Sequence, residues 1–201
     1  MTSREEALAE LLAIHSVFYR PRKPFVLSSG KTSPFYFDCR RTTMLPAAMP
    51  LIGRLVFERI RAGVDAVGGL TMGADPIACA VAYYSHGRGH PIAAFTVRKE
   101  AKAHGMQRWI EGAAAPKSRV AVVEDVVTSG ESTLRAIARC REEGLRVERV
   151  VVLVDREEGG MERIAAEVGA VRAAALFRRT EVDAIWQQLR RRMPGKASRR
   201  A

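Results

Sequence analysis

Val120-Ala121-Val122-Val123-Glu124-Asp125-Val126-Val127-Thr128-Ser129-Gly130-Glu131-Ser132-Thr133 runs from small apolar residues through two acids into a hydroxyl-rich turn. Its first four residues read as a strand buried on both faces, as in a parallel sheet. Glu124 and Asp125 stand where that strand is expected to run out. Leu134, Ile137 and Ala138 then begin a helical apolar spacing. Strand, acidic pair, small loop and helix N-terminus together suit a sugar phosphate. Free backbone N–H groups and the positive dipole end would take the phosphate. The carboxylates would accept hydrogen bonds from ribose hydroxyls or face a metal ion. The same parts occur in ordinary α/β proteins, where an acid ends a strand and a Ser or Thr caps a helix. On pattern alone both readings stand. No Gly-Lys-Ser/Thr follows the first glycine and no G-x-G-x-x-G is present, so neither a Walker loop nor a dinucleotide fingerprint is at hand.

Outward from this stretch the chain alternates. Strands are expected at Ala66 to Gly69, Ile92 to Val97, Val150 to Val154 and Val171 to Leu176. Helices are expected from Gly73, from Glu131, near Met161 to Val168, and from Thr180 and Asp183 to about Arg192. Such alternation predicts an α/β fold, a central parallel sheet flanked by helices. Ligands in these sheets bind beyond the carboxyl ends of the strands. Upstream, Ser3 to Ser16 reads as a helix with Ser3 and Glu6 as a capping box and Leu8, Leu11 and Leu12 facing the core. Two short strands flank the turn Ser28-Ser29-Gly30-Lys31-Thr32-Ser33-Pro34. Leu45, Met49, Ile52, Val56 and Ile60 mark another helix. Phe35 and Phe37 share a strand face and read as core, and Lys31 as exposed.

One connection breaks the pattern. Arg98 to Gly112, with Arg98, Lys99, Lys102, His104 and Arg108, exceeds the usual βα link and reads as a cationic lid. A solvated basic helix start is the plainer alternative.

At 201 residues, with 47% hydrophobic and 27% charged content, the chain fits one soluble domain. No apolar run approaches the ~20 residues of a membrane span, and the polar start, Met1 to Glu6, is no secretory signal. Cys39, Cys79 and Cys140 form no CxxC or Cys/His cluster and read as packing residues of a reduced, cytoplasmic protein. The net charge of +11 would suit nucleic acid. However, Arg190 to Ala201 holds six cations and no acid; taking those six from +11 leaves +5 for the rest. Residues 194–201 therefore read as a basic, disordered tail, and a nucleic-acid partner is not expected.

Four stretches carry a resemblance. Glu124 to Ser132 resembles the phosphoribosyl-pyrophosphate (PRPP) motif of the type I phosphoribosyltransferases. Arg98-Lys99-Glu100-Ala101-Lys102-Ala103-His104-Gly105 resembles the catalytic loop of the orotate phosphoribosyltransferases among them. Leu27 to Phe37 is similar to their orotate-side hairpin, and Val154-Asp155-Arg156-Glu157-Glu158-Gly159 to the strand end whose arginine contacts orotate. Three departures accompany it: Ser28 stands where some members carry lysine, Gly69 to Asp75 lacks the lysine of some pyrophosphate loops, and Glu131 places an acid beside the phosphate.

The resemblance implies a type I phosphoribosyltransferase fold over residues 1–193, with a hood-like subdomain from about 1–40 and from near the C-terminal end. It implies transfer of the phosphoribosyl group of PRPP to orotate, giving orotidine 5′-monophosphate and pyrophosphate, in de novo pyrimidine (UMP) biosynthesis. Lys102, Lys99 and Asp125 would be catalytic. PRPP would be bound by Arg98, Lys99, Lys102, His104, Glu124, Asp125, Val126, Val127, Thr128, Ser129, Gly130, Glu131 and Ser132. Orotate would meet Thr128 and Arg156. Mg2+ is the implied cofactor, with no direct metal ligand assigned. A homodimer is implied, the loop of one chain covering the site of the other. A different class, a regulator that senses nucleotide and binds nucleic acid, rests on the +11 charge; turnover after removal of residues 194–201 would separate the two.

Overall fold

The computed structural model describes residues 1–26, 30, 32–100 and 109–192. Its centre is β8 (Arg119–Val127), flanked by β9 (Arg146–Asp155) and β5 (Ala66–Leu70). With β6 (Ala93–Val97), β7 (Ile110–Gly112) and β10 (Ala173–Arg178) they form one sheet in the order β10-β9-β8-β5-β6-β7. Every pair is parallel except β6 with β7. From β5 the chain steps outward to β6, whereas from β8 it steps the other way to β9 and β10. The crevice where that direction reverses, between the ends of β5 and β8, is where such sheets hold ligands.

Successive strand residues face opposite sides, and both sides are covered. Val67, Ala121, Val123, Val151 and Leu153 pack in one core, under α1 (Ser3–His15), α3 (Met49–Ile60), α4 (Asp75–His86) and α7 (Arg179–Arg192). Ala66, Val120, Val122, Val150 and Val152 pack in the other, under α5 (Glu131–Glu142) and α6 (Gly160–Val168). Two-sided burial is why these strands read as unbroken apolar runs.

Ahead of the sheet, β1 (Val17–Tyr19) pairs antiparallel with β4 (Phe35–Phe37), and β2 (Phe25–Val26) with β3 (Thr32–Ser33). Phe37 is buried, as expected, and Phe35 packs against the core. The C-terminal helix closes on this hairpin: the Trp186 ring lies 5.4 Å from Tyr19 and 5.6 Å from Phe35. A short helix α2 (Arg40–Thr43) then leads into α3.

Several expectations shift. Thr2 and Glu5, not Ser3 and Glu6, form the capping box of α1; the Thr2 hydroxyl takes the Glu5 N–H, while the helix begins at Ser3 as expected. The strand at Val120 does not stop before the acids, because β9 pairs with β8 through Val127↔Asp155 while β5 releases it after Gly68↔Val122. Ile110–Gly112 is a strand that the lid reading overlooked, so the 98–109 connection is the end of a β6–β7 hairpin closed by Arg98 N–H to Trp109 O, 2.8 Å. Cys79 is exposed, whereas Cys39 and Cys140 are buried. Ser28, Lys31 and residues 194–201 lie outside the described residues, as do Lys102 and His104. Among the described residues no helix is long and apolar enough to cross a membrane.

Candidate active site

At the reversal point a cavity of about 210 Å³ opens between three elements. Glu124, Asp125 and Val126 come from the end of β8 and Ser132 from the first turn of α5, Leu70 to Gly73 from the end of β5, and Tyr36 to Arg40 from the hairpin strand and the start of α2. Lys99 reaches it from the end of β6. The opening stretch therefore forms one wall; of the other resembling stretches, Tyr36, Phe37 and Lys99 line the cavity and the Val154 to Gly159 stretch does not.

Glu124 and Asp125 are buried at 6% and 7% exposure, yet both line this cavity. The Thr133 hydroxyl approaches Glu124 at 3.5 Å, and the Val126 N–H donates to Asp125 Oδ1 at 2.9 Å. Burial pushes the Glu124 carboxyl well above its ordinary range, and the Asp125 charge adds to it. Burial also raises Asp125, while hydrogen bonds from Glu124 and the Val126 N–H pull it back. Hydroxyl donors or a cation brought by a ligand would favour the ionised form of this pair.

The loop after β8 is shaped to expose amides. Gly130 adopts φ 77°, and a Cβ there would lie 2.8 Å from Gly160 O. Gly160 itself sits so close beneath that a Cβ would meet Thr128 O at 2.4 Å. Arg163 Nη1 donates to Ser129 O at 2.7 Å, fixing the loop from below. Among the described residues no acceptor takes the N–H groups of Ser129, Gly130, Glu131 or Ser132. Together with the dipole of α5, they make an anion nest. Gly130, not a Ser or Thr side chain, holds the N-cap position. Glu131 turns away from the nest to pair with Arg135 at 3.1 Å.

Across the crevice, the Thr71 N–H donates to Val97 O and the Ala74 N–H to Leu70 O. Thus, in this loop, Met72 and Gly73 offer N–H groups without a backbone acceptor among the described residues. Asp75 braces this loop, accepting from the hydroxyls of Thr71 at 2.7 Å and Thr96 at 2.8 Å. A residue the sequence reading overlooked, Arg40, lines the cavity and pairs with Asp38 at 2.9 Å. The Asp38 pairing raises its pKa, with a further contribution from the Asp125 charge. A basic residue directly after a hairpin strand is too common a signal to single out.

Arg156 follows β9, its N–H bonded to Val127 O at 2.9 Å. Its side chain is 13% exposed and pairs with Glu158 at 2.9 Å. The buried Cys39 thiol, a cavity-lining group pushed up by burial, feels both the Asp125 and Arg156 charges. Arg156 itself is not among the residues that line the cavity. Arg98 is turned to the hairpin base, 3.6 Å from Glu111, rather than into the cavity.

No protein-family model matches the chain. A curated orotate phosphoribosyltransferase of Aquifex aeolicus is 47% identical over 178 residues, covering 88% of this chain and 96% of that protein. Among solved structures, the Mycobacterium tuberculosis orotate phosphoribosyltransferase with Fe(III) dicitrate aligns at TM-score 0.76 and 43% identity, over 89% of this chain and 98% of that one. The same enzyme in complex with PRPP aligns at TM-score 0.70 and 37% identity, over 89% and 90%. With the acidic pair, the anion nest and the hairpin wall around one cavity, these likenesses agree: the chain belongs to the orotate phosphoribosyltransferase family.

Proposed function

We propose that this chain transfers the phosphoribosyl group of PRPP to orotate, releasing pyrophosphate and forming orotidine 5′-monophosphate in pyrimidine biosynthesis. The observation that carries the reading is the buried Glu124–Asp125 pair beside the open amides of Ser129 to Ser132. A ribose 5-phosphate needs both groups at that separation of one loop. The family membership names the acceptor.

In this reading the Thr128 to Ser132 loop holds the 5′-phosphate, and Val126 and Val127 border PRPP ahead of it. Glu124 and Asp125 orient the ribose hydroxyls and stabilise the oxocarbenium-like ring as the bond to pyrophosphate breaks. Negative charge grows on the leaving group, and preorganised cations aimed at it lower the barrier. Lys99 lines the cavity for that task. Lys102, Arg98 and His104 are assigned to it by resemblance. Arg156 pairs with the orotate carboxylate or carbonyl, which its planar fork suits, and Thr128 borders both ligands.

Two adjacent hard carboxylates fit a magnesium ion. Glu124 and Asp125 would face such an ion, which commonly keeps several of its own waters. When bound, Mg2+ neutralises pyrophosphate charge. The protein's share is to present Glu124 and Asp125 as carboxylates.

Residues 1–193 form one catalytic domain in this reading, with a hood from about 1–40 and α7. The chain works as a homodimer, the cationic loop of each protomer serving its partner's site and excluding water. The three unpaired cysteines support a reducing, cytoplasmic setting.

Pyrophosphate release from PRPP, followed with orotate, uracil, adenine, guanine, hypoxanthine and xanthine in turn, tests the reading. Turnover with orotate alone is expected. Turnover confined to a purine, or nucleic-acid binding with no turnover, would refute it.

A further inference from the structure

The loop that carries Arg156 is braced from one side by the first turn of α7. Arg179 Nε donates to the Arg156 carbonyl at 3.3 Å. The Thr180 N–H and hydroxyl both donate to Glu157, at 3.0 and 3.2 Å. Arg179 Nη1 donates to Asp183 Oδ2 at 2.9 Å. The C-terminal helix thus grips two consecutive residues of this loop, Arg156 and Glu157, before it runs on to the Tyr19–Phe35–Trp186 cluster.

Two buried side-chain atoms in this region have no partner among the described residues: Arg156 Nε and Asp183 Oδ1. They are a donor and an acceptor of opposite charge, on elements that already meet at the Arg156 carbonyl. Unmet buried polar groups are costly and uncommon, and their presence needs a reason. Arg156 meanwhile spends its outer edge on Glu158, a half-exposed carboxylate on the same loop. A carboxylate-bearing ligand offers that edge the same chemistry, so Glu158 acts as its stand-in. Burial raises the Asp183 carboxyl, and the Arg179 and Arg156 charges pull it back, which puts Asp183 within electrostatic reach of both arginines.

We propose that Asp183 is the positioning residue for the base-recognition arginine: held by Arg179, its unpartnered oxygen takes the Arg156 Nε–H when orotate replaces Glu158, and so aims the guanidinium fork at orotate. This inference rests on the functional reading above, and it adds a specificity role for the N-terminal part of α7. Asp183 touches no substrate; it acts only through Arg156.

Steady-state kinetics on Asp183→Ala and Asp183→Asn, with thermal melting alongside, test it. Asp183→Ala should raise the orotate KM about tenfold, the scale of one misaligned charge-assisted hydrogen bond, while the PRPP KM stays within about twofold. Asp183→Asn keeps an acceptor oxygen for either arginine and should recover much of the loss. A merely structural brace would instead lower Tm and raise both KM values together, and that result overturns the proposal. Should Asp183→Ala fail to fold, Asp183→Leu, which keeps the volume but offers no acceptor, carries the test, and an orotate KM equal to wild type in that variant overturns the proposal. Wild-type protein inactive with orotate would strike the functional reading and this inference together. Wild type active with orotate, beside variants of unchanged orotate KM, would strike the inference alone.

Discussion

A Cβ placed on Gly73 would lie 2.5 Å from Asp125 Oδ1 and 2.9 Å from Glu124 Oε1. The loop after β5 and the acidic end of β8 therefore approach as closely as backbone and carboxylate can. Neither partner can retreat cheaply. The Thr71 N–H and hydroxyl tie the loop to Val97 and Asp75, and β9 pins the acids through Val126↔Val154. Gly73→Ala should displace the carboxylates and cost at least about tenfold in kcat/KM for PRPP, since misplacements near 1 Å at a reacting centre are that expensive. Gly87→Ala is the control, because a Cβ there meets nothing nearer than Tyr84 O at 4.0 Å. Equal kinetics in the two variants would refute the close-approach account.

The acidic pair should make the ligand-free protein less stable at neutral pH than in mild acid. Burial raises the folded-state pKa of Glu124 above its ordinary 4.5, so the native chain binds more protons than the unfolded one as pH rises past that value. Stability then falls through the window between the ordinary and raised values. Glu124→Gln should flatten that slope and raise the Tm at pH 7.5 by about 2–4 °C, the usual response of a chain this size to one kcal/mol. It should also weaken PRPP binding, since an amide cannot replace a carboxylate toward hydroxyls and a cation. Thermal melts from pH 5 to 8, with and without PRPP, measure both effects.

This cost explains which parts of the site were legible in the sequence. Val120 to Val123 announced a strand because burial on both faces demands apolar side chains. The same demand made Glu124 and Asp125 conspicuous, since acids seldom interrupt such a run without a function. Strand length was not legible: whether β8 ends at Val123 or Val127 depends on its partner β9, a tertiary fact. Ile110–Gly112 was likewise hidden, because a three-residue edge strand has too little pattern to separate from a loop. Arg40 and Asp183 carry no local signal at all. Their roles come from which distant segments the sheet brings beside Asp125 and Arg156.

Arg139 sits 3.6 Å above the Trp109 ring, and the Trp109 N–H donates to Glu143 at 3.2 Å. The end of the β6–β7 hairpin is thereby anchored on α5, the helix whose N-terminus forms the anion nest. Arg139→Ala removes a contact of about 0.5–1 kcal/mol at an exposed site. It should lower kcat roughly threefold, with PRPP KM nearly unchanged and Tm within about 2 °C, as surface changes usually leave it. Arg139→Lys should fall between. An unchanged kcat in Arg139→Ala would show that anchoring the hairpin root on α5 does not matter to turnover.

Sharing of the cationic loop between protomers makes a quantitative prediction. Lys102→Ala removes a cation aimed at the leaving group, and Asp125→Asn removes a carboxylate from the ribose side, so each homodimer should be nearly inactive. If the loop of one chain serves the other's cavity, a mixed dimer places both lesions in one site and leaves its second site intact. Random exchange makes half the dimers mixed, each with one working site of two, so activity should recover to about a quarter of wild type for a symmetric twofold assembly. With loops acting on their own chain, every site in the mixture carries one lesion, and no recovery can occur. Subunit exchange must be verified by mass or by tag co-purification before the assay. Exchange without recovery would confine Lys102 to its own protomer's site.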